Sequence, residues 1–141
     1  ITRLQNMGTP DYLISAATQL VVAQRLARKN CKDCRVPDDD VNPKVLQDLG
    51  FSAEQASRVK AIKGKGCAKC SNTGYKGRQG IYEILVVTKP LKEAILRQAT
   101  TPELREIGVK EGFQTMQDMG RRLIASGELN FREFERVLSG E

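Results

Sequence analysis

The sequence predicts a mixed α/β fold, or an α+β fragment of one, in which helix and strand segments bracket a cysteine-bearing insert and a helical tail follows. Three observations predict it. All four cysteines fall in two identical hooks, Cys31-Lys32-Asp33-Cys34 and Cys67-Ala68-Lys69-Cys70. The run Ile81-Tyr82-Glu83-Ile84-Leu85-Val86-Val87 is apolar and β-branched, the composition of a strand. Beyond it come four helix-start residues, Thr88, Thr101, Thr115 and Asn130.

In chain order, Thr9-Pro10-Asp11 predicts a helix start: a capping hydroxyl, a proline at the first helical position and an acid at the positive end. Leu13, Ile14, Ala17 and Leu20 would line its buried face. From Val21 to Lys29 the pattern either continues the helix or turns into a strand leading to Cys31. Inside the insert, Asn42-Pro43 and Ser52 each open a short helix, the second with a capping box from Ser52 to Gln55. Asp38-Asp39-Asp40 and Lys63-Gly64-Lys65-Gly66 read as solvated turns; the latter lacks the spacing and ending of a Walker A loop. Residues 71–80, with three glycines, read as loop or turn. The segment before Cys31 and the run after Gly80 are expected to pair as antiparallel strands. In the tail, Pro90 and Pro102 sit just inside helix starts, and Thr115–Asp118 and Asn130–Glu133 have capping-box form. Gly127 ends a helix, and Leu91, Ile95, Leu96, Met116, Met119 and Leu123 are core candidates.

A two-residue gap lets one tight turn aim both sulfurs at a point, and two such turns supply a tetrahedral ligand set. Two disulfides would suit a secreted protein, but nothing in the chain indicates secretion. A thioredoxin-like redox pair would leave the second hook without a purpose. A structural zinc on Cys31, Cys34, Cys67 and Cys70 leaves no cysteine over, and the chain has no His to make a mixed set. The apolar side chains between the hooks, among them Leu46, Leu49, Phe51 and Ile62, are too few to order that stretch unaided, so metal and contact with a larger body are both expected. On this reading Cys67→Ser loosens residues 35–66 and leaves the helices of residues 88–138 folded.

The net charge of +6 falls to about +4 if four thiolates hold one divalent ion. Basic residues alternate with acids, and aromatics make up 5% with no Trp, so the charge reads as a solvated surface with few stacking platforms. A zinc-ribbon nucleic-acid-binding module remains the alternative, suggested by the lysines around the hooks. A chaperone-type cysteine module would need more than two hooks. No apolar run approaches the roughly 18 residues of a membrane span. The opening Ile1-Thr2-Arg3-Leu4, without Met or signal peptide, is expected of a piece of a longer protein.

Taken in order, these residues resemble the hexameric motor ATPases of type IV pilus assembly and type II secretion. The resemblance is carried by Ile1-Thr2-Arg3-Leu4 with Met7-Gly8, and by Ala23-Gln24-Arg25-Leu26-Ala27-Arg28 ahead of the first hook. It continues in Gly66-Cys67, in Thr73-Gly74-Tyr75 with Gly77-Arg78 and Gly80-Ile81-Tyr82-Glu83, and in Thr115-Met116, Gly120, Gly127 and the Phe131-to-Val137 segment. It covers nearly the whole chain. It implies the distal part of a RecA-like motor domain: residues 1–30 the end of the ATPase core, 31–70 the four-cysteine zinc module, 71–87 a loop and return strand, and 88–141 a helical C-terminal subdomain. It further implies structural Zn²⁺ on the four cysteines, ATP and Mg²⁺ in the parent protein, and neighbouring subunits of a homohexamer. A cytoplasmic position against an inner-membrane platform protein is implied as well, with no specific nucleic acid. Extension ATPases of this family carry the four-cysteine insert, which retraction ATPases generally lack. The family's Walker motifs, catalytic Glu and histidine box match nothing here, so no catalytic or nucleotide-binding residue is assigned. Arg25, Arg28 and Arg78 read either as intersubunit or nucleotide-edge contacts or as exposed bases beside the zinc site.

Overall fold

The computed structural model describes residues 1–138 of the chain, a mixture of helix and strand. Two compact units share the chain without following its order: residues 1–23 with 83–115, and residues 24–82 with those from Met116 onward. Strands β1 (Leu20–Asn30) and β4 (Tyr75–Val86) pair as a two-stranded sheet. They are antiparallel, since the Val87 N–H donates to the Gln19 carbonyl at 3.0 Å and the Cys31 N–H to the Gly74 carbonyl at 2.9 Å. The open choice at residues 21–29 is therefore a strand.

In the first unit, α1 (Thr2–Asn6) and α2 (Asp11–Ala17) precede β1. Helix α2 starts later than expected, with Pro10 at the N-cap and no side-chain cap. It stops at Thr18, whose extended backbone sends Leu20 into the strand rather than onto the helix face. After β4 come α5 (Lys89–Leu96), with Thr88 at its N-cap position but no side-chain cap bond, and α6 (Thr101–Lys110). The α6 cap is Thr100, not Thr101: the Glu103 N–H donates to its hydroxyl while Glu103 accepts from the Thr100 N–H. Ile14, Val87, Leu91, Ala94, Ile95, Ala99 and Leu104 form the core, and the Ser15 hydroxyl ties α2 to α5 by donating to the Lys92 carbonyl at 3.1 Å. Leu96, a predicted core residue, is exposed.

In the second unit, β2 (Arg35–Pro37) and β3 (Ile62–Gly64) pair antiparallel, with Val36 opposite Lys63. Lys63 and Gly64 are thus strand, not turn. Between them lie α3 (Pro43–Asp48), capped by Asn42, and α4 (Ala53–Arg58), whose Ser52–Gln55 capping box is complete. Residues 75–80 also belong to a strand rather than a loop, because pairing with β1 supplies their backbone partners; Gly77 absorbs a φ of +83° within it. Helices α7 (Met116–Ser126) and α8 (Phe131–Leu138) are separated by Gly127, at φ +84°. The core joins Leu46, Phe51 and Ala56 of the insert to Ile81 and to Met116, Ile124, Leu129, Phe134 and Val137. The tail helices are therefore divided, α5 and α6 in one unit and α7 and α8 in the other.

Helices α7 and α8 meet at Gly120, where an added Cβ would stand 2.1 Å from the Phe134 ring. Gly120→Ala should therefore lower stability by about 1–3 kcal/mol through overpacking, measured by urea unfolding. An unchanged midpoint would contradict this close approach.

Candidate metal centre

Each hook is set by local geometry. Cys31 and Cys34 lie in the turn between β1 and β2, and the Lys65 N–H donates to the Cys34 carbonyl at 2.9 Å, which brings the second hook alongside. Cys67 to Cys70 form a single 3₁₀ turn (Ala68–Cys70), after which Ser71 and Asn72 take positive φ to reverse the chain. Two glycines face each other beneath the hooks. A Cβ on Gly64 would fall 1.9 Å from the Gly74 carbonyl oxygen, so only backbone fits there.

The four sulfurs converge, all within 4.8 Å of one another. Cys31 to Cys67 and Cys34 to Cys70 are each 3.8 Å, and Cys67 to Cys70 is 3.6 Å. Ligands at about 2.3 Å from a central ion stand about 3.8 Å apart along the edges of a tetrahedron, so the sulfurs fit a four-thiolate metal site. Cys31 and Cys70 are buried, Cys34 and Cys67 half-buried. Backbone donors point inward: the Gly66 N–H lies 3.3 Å from the Cys34 sulfur, and those of Cys67 and Gly74 lie 3.2 and 3.3 Å from the Cys70 sulfur.

The crowding of the four sulfurs sets the thiols apart from one another. Burial pushes Cys70 up, but the Cys67 and Gly74 N–H donors outweigh it and hold its pKa down at about 6. At Cys34 the Gly66 donor pulls the pKa down, yet burial and the three neighbouring sulfurs together push it up to about 11. One thiolate thus forms readily while the crowding of sulfurs resists another, and a cation bound among them would favour the charged form of all four.

Around this centre the structure brings together residues the sequence did not single out as a group. Asn30, beside Cys31, is buried; its amide donates to the carbonyls of Ile62 at 3.1 Å and Gly127 at 2.9 Å. Asn130 donates to the Asn30 oxygen at 3.2 Å and to the Tyr75 hydroxyl at 2.9 Å. It also caps α8, as predicted, by accepting from the Glu133 N–H at 2.8 Å. The Glu133 carboxylate does not return to the cap. It is buried and accepts from Arg28 at 2.8 and 3.0 Å and from Arg136 at 3.0 Å. The Arg28 guanidinium also lies 4.1 Å from the centre of the Tyr75 ring. Arg25 donates to the Val137 carbonyl, so two of the three singled-out arginines work within the unit, while Arg78 is exposed. The available signal was an Asn abutting a hook and an acid at the third position of a capped helix; neither names its partner.

The family model described as type II/IV secretion system protein matches residues 1–136. The chain belongs to that family. Similar relatives include the type IV pilus assembly ATPase PilB of Thermus thermophilus, 39% identical over 85% of this chain and 13% of the relative. PilB of Pseudomonas aeruginosa is 36% identical over 97% of this chain and 24% of its own length. The type II secretion system ATPase E of Vibrio cholerae is 34% identical over 86% of this chain and 26% of the relative. The chain therefore spans about a quarter or less of these secretion-family relatives. Among its described residues, no helix is long and apolar enough to cross a membrane.

The Glu133 pair makes a pH-dependent contribution. Burial pushes this carboxyl up, but hydrogen bonds from Arg136 and then Arg28 hold its pKa down at about 2, against 4.5 for the free group. A carboxyl depressed on folding stabilises fully above the unfolded value and loses that contribution as pH falls through the folded one, so the loss spans pH 4.5 to about 2. Glu133→Gln should flatten the stability profile across that window and cost about 1.5–3 kcal/mol at neutral pH, read by urea unfolding at a series of pH values.

Proposed function

We propose that this chain is the zinc-containing C-terminal region of a hexameric ATPase that powers type IV pilus extension or type II secretion. The observation that carries the reading is the convergence of four sulfurs at tetrahedral edge distances, in a chain matched over residues 1–136 by the secretion-system family. On this reading Cys31, Cys34, Cys67 and Cys70 hold one structural Zn²⁺ with no open coordination position. The metal closes the insert onto the body of the motor and does no chemistry on substrate.

Residues 1–30 and the return strand are proposed to be the distal edge of a RecA-like core. One feature of the first unit supports this. Val21, Leu85 and Val87 pack toward the core there, yet Leu20, Val22, Ile84 and Val86 on the opposite face are each 47–58% exposed. Strands apolar on both faces belong to sheets covered on both sides, so this face suits contact with the remainder of a larger motor. Residues 31–70 carry the zinc ligands and 71–87 are the return segment; the C-terminal helices, α5 and α6 of the first unit and α7 and α8 of the second, serve subunit contact and force transmission to an inner-membrane platform protein from the cytoplasmic side. ATP and Mg²⁺ bind elsewhere in the parent. Of the bases near the hooks, Arg28 holds Glu133 and Lys69 pairs with Asp33 at 3.5 Å while Lys32 and Lys65 are exposed, and it is the family match over residues 1–136 that favours this reading over a nucleic-acid-binding one.

Protein purified under reducing conditions should contain one zinc per chain by elemental analysis, and Cys67→Ser should lose it. Because α7 and α8 share a core with the insert, hydrogen exchange in that variant should rise in both the insert and these helices. Helices α5 and α6 should keep their protection, a narrower safe region than the sequence suggested. Four free thiols, no zinc and an unchanged exchange pattern would overturn the assignment, and motor-rate ATP turnover by this chain alone would overturn its non-catalytic role.

A further inference from the structure

Two segments distant in sequence converge on one buried side chain beside the first hook. Asn30 immediately precedes the first hook, and its amide N–H groups hold the carbonyl of Ile62, on the strand leading to the second hook, and that of Gly127, at the α7–α8 corner. Its backbone N–H donates to the Glu128 carbonyl at 2.8 Å, and its side-chain oxygen accepts from Asn130, the residue that caps α8. Asn30 is 1% exposed, so water offers these groups no replacement partner.

We propose that Asn30 is a positioning residue coupling the metal centre to helix α8, so that metal binding orders the α7–α8 corner and the corner in turn tunes metal affinity. The physical argument is linkage. The path is short: Cys31 is covalently next to Asn30, Asn30 bonds Asn130, and Asn130 fixes the first turn of α8 through the Glu133 N–H. When the four sulfurs close on an ion, Asn30 is pinned with its amide aimed at Ile62 and Gly127; when they spread, these bonds loosen together. A coupling of this kind is reciprocal: whatever the metal contributes to ordering the corner, an ordered corner returns to metal binding. Outer residues that orient metal ligands commonly change affinity by about ten- to hundredfold when replaced.

The inference rests on the proposed zinc site, and the experiment separates the two. Zinc affinity is measured by competition with a chromophoric chelator for the wild-type protein, Asn30→Ala and Asn130→Ser. The serine keeps an oxygen able to cap α8 but removes the amide donor to Asn30. Both variants should bind zinc about ten- to hundredfold more weakly. The double variant should be no weaker than the worse single one, since both act on one path. Cobalt-loaded samples should retain the absorption of a tetrahedral thiolate site, showing that the ligands themselves are intact. In the wild type, chelation should speed hydrogen exchange across residues 127–137. If Asn30→Ala fails to fold, Asn130→Ser and the wild-type exchange comparison still decide. Wild-type zinc affinity in Asn130→Ser with a lowered thermal midpoint, or exchange at 127–137 indifferent to the metal, overturns the coupling and leaves the zinc site standing. A protein that binds no zinc overturns both.

Discussion

Closure of the excursion between Asn30 and Gly74 is the constraint from which the second unit follows. The chain leaves β1 at Asn30 and must return to the same point to begin β4. The Cys31 N–H to Gly74 carbonyl bond fixes the strand register at that point, and the two hooks converge there with sulfur pairs 3.6–3.8 Å apart. The shared core of Leu46, Phe51 and Ala56 with α7 and α8 holds the far end of the excursion. The paired strands β2 and β3 are three residues each, far below what a hairpin needs to stand alone. Even the glycines serve this closure, since the contact of Gly64 with Gly74 leaves no room for a side chain.

Around the closure lies a polar network where a small core would ordinarily be apolar. Asn30, Asn130 and Glu133 are all buried, and their bonds to Ile62, Gly127, Tyr75, Arg28 and Arg136 satisfy them. An apolar replacement of similar volume could match this in stability, because the desolvation of Glu133 offsets much of what its arginines return. What apolar contacts would not supply is direction. An amide that must meet two carbonyls and one side-chain donor is satisfied in one arrangement of the hook and the corner, and poorly in any shifted one.

Local chemistry was legible in the sequence, and long-range placement was not. The two hooks announced a shared centre, and Asn42 and Ser52 announced their helices, because a cap requires only residues within one turn. Likewise the strand at Ile81 and the stop at Gly127 are written in neighbouring residues. Local boundaries slip by a residue, as at Pro10 and Thr100, while the larger errors are where a partner distant in sequence decides. Residues 75–80 look like a glycine-rich loop until β1 supplies their hydrogen bonds, and Lys63-Gly64 looks like a turn until Arg35 to Pro37 pair with it. Glu133 reads as half of a capping box, and the arginine 105 positions away that claims it leaves no mark in the local pattern. The strand before Cys31 was undecided for a related reason: its apolar spacing suits either period, and its partner lies beyond the whole excursion.

The same distinction governs how the insert should be regarded. By chain order it is a module placed between two strands, with a helical tail appended later. By packing it is not separable, since Leu46, Phe51 and Ala56 share one core with Ile124, Leu129, Phe134 and Val137 of α7 and α8. The Arg121 guanidinium reinforces this, donating to the Leu49 carbonyl at 3.0 Å, just past the end of α3. A peptide cut at the strand ends would retain all four sulfurs but lose the apolar surface that covers α3 and α4, and with it the Gly127, Glu128 and Asn130 partners of Asn30. Sulfurs held in a loosened frame lose preorganisation, so any ion they bound would have to supply the ordering that α7 and α8 otherwise share. The four-sulfur cluster is therefore a property of the folded unit, built by residues on both sides of the excursion, rather than of the cysteine segment alone.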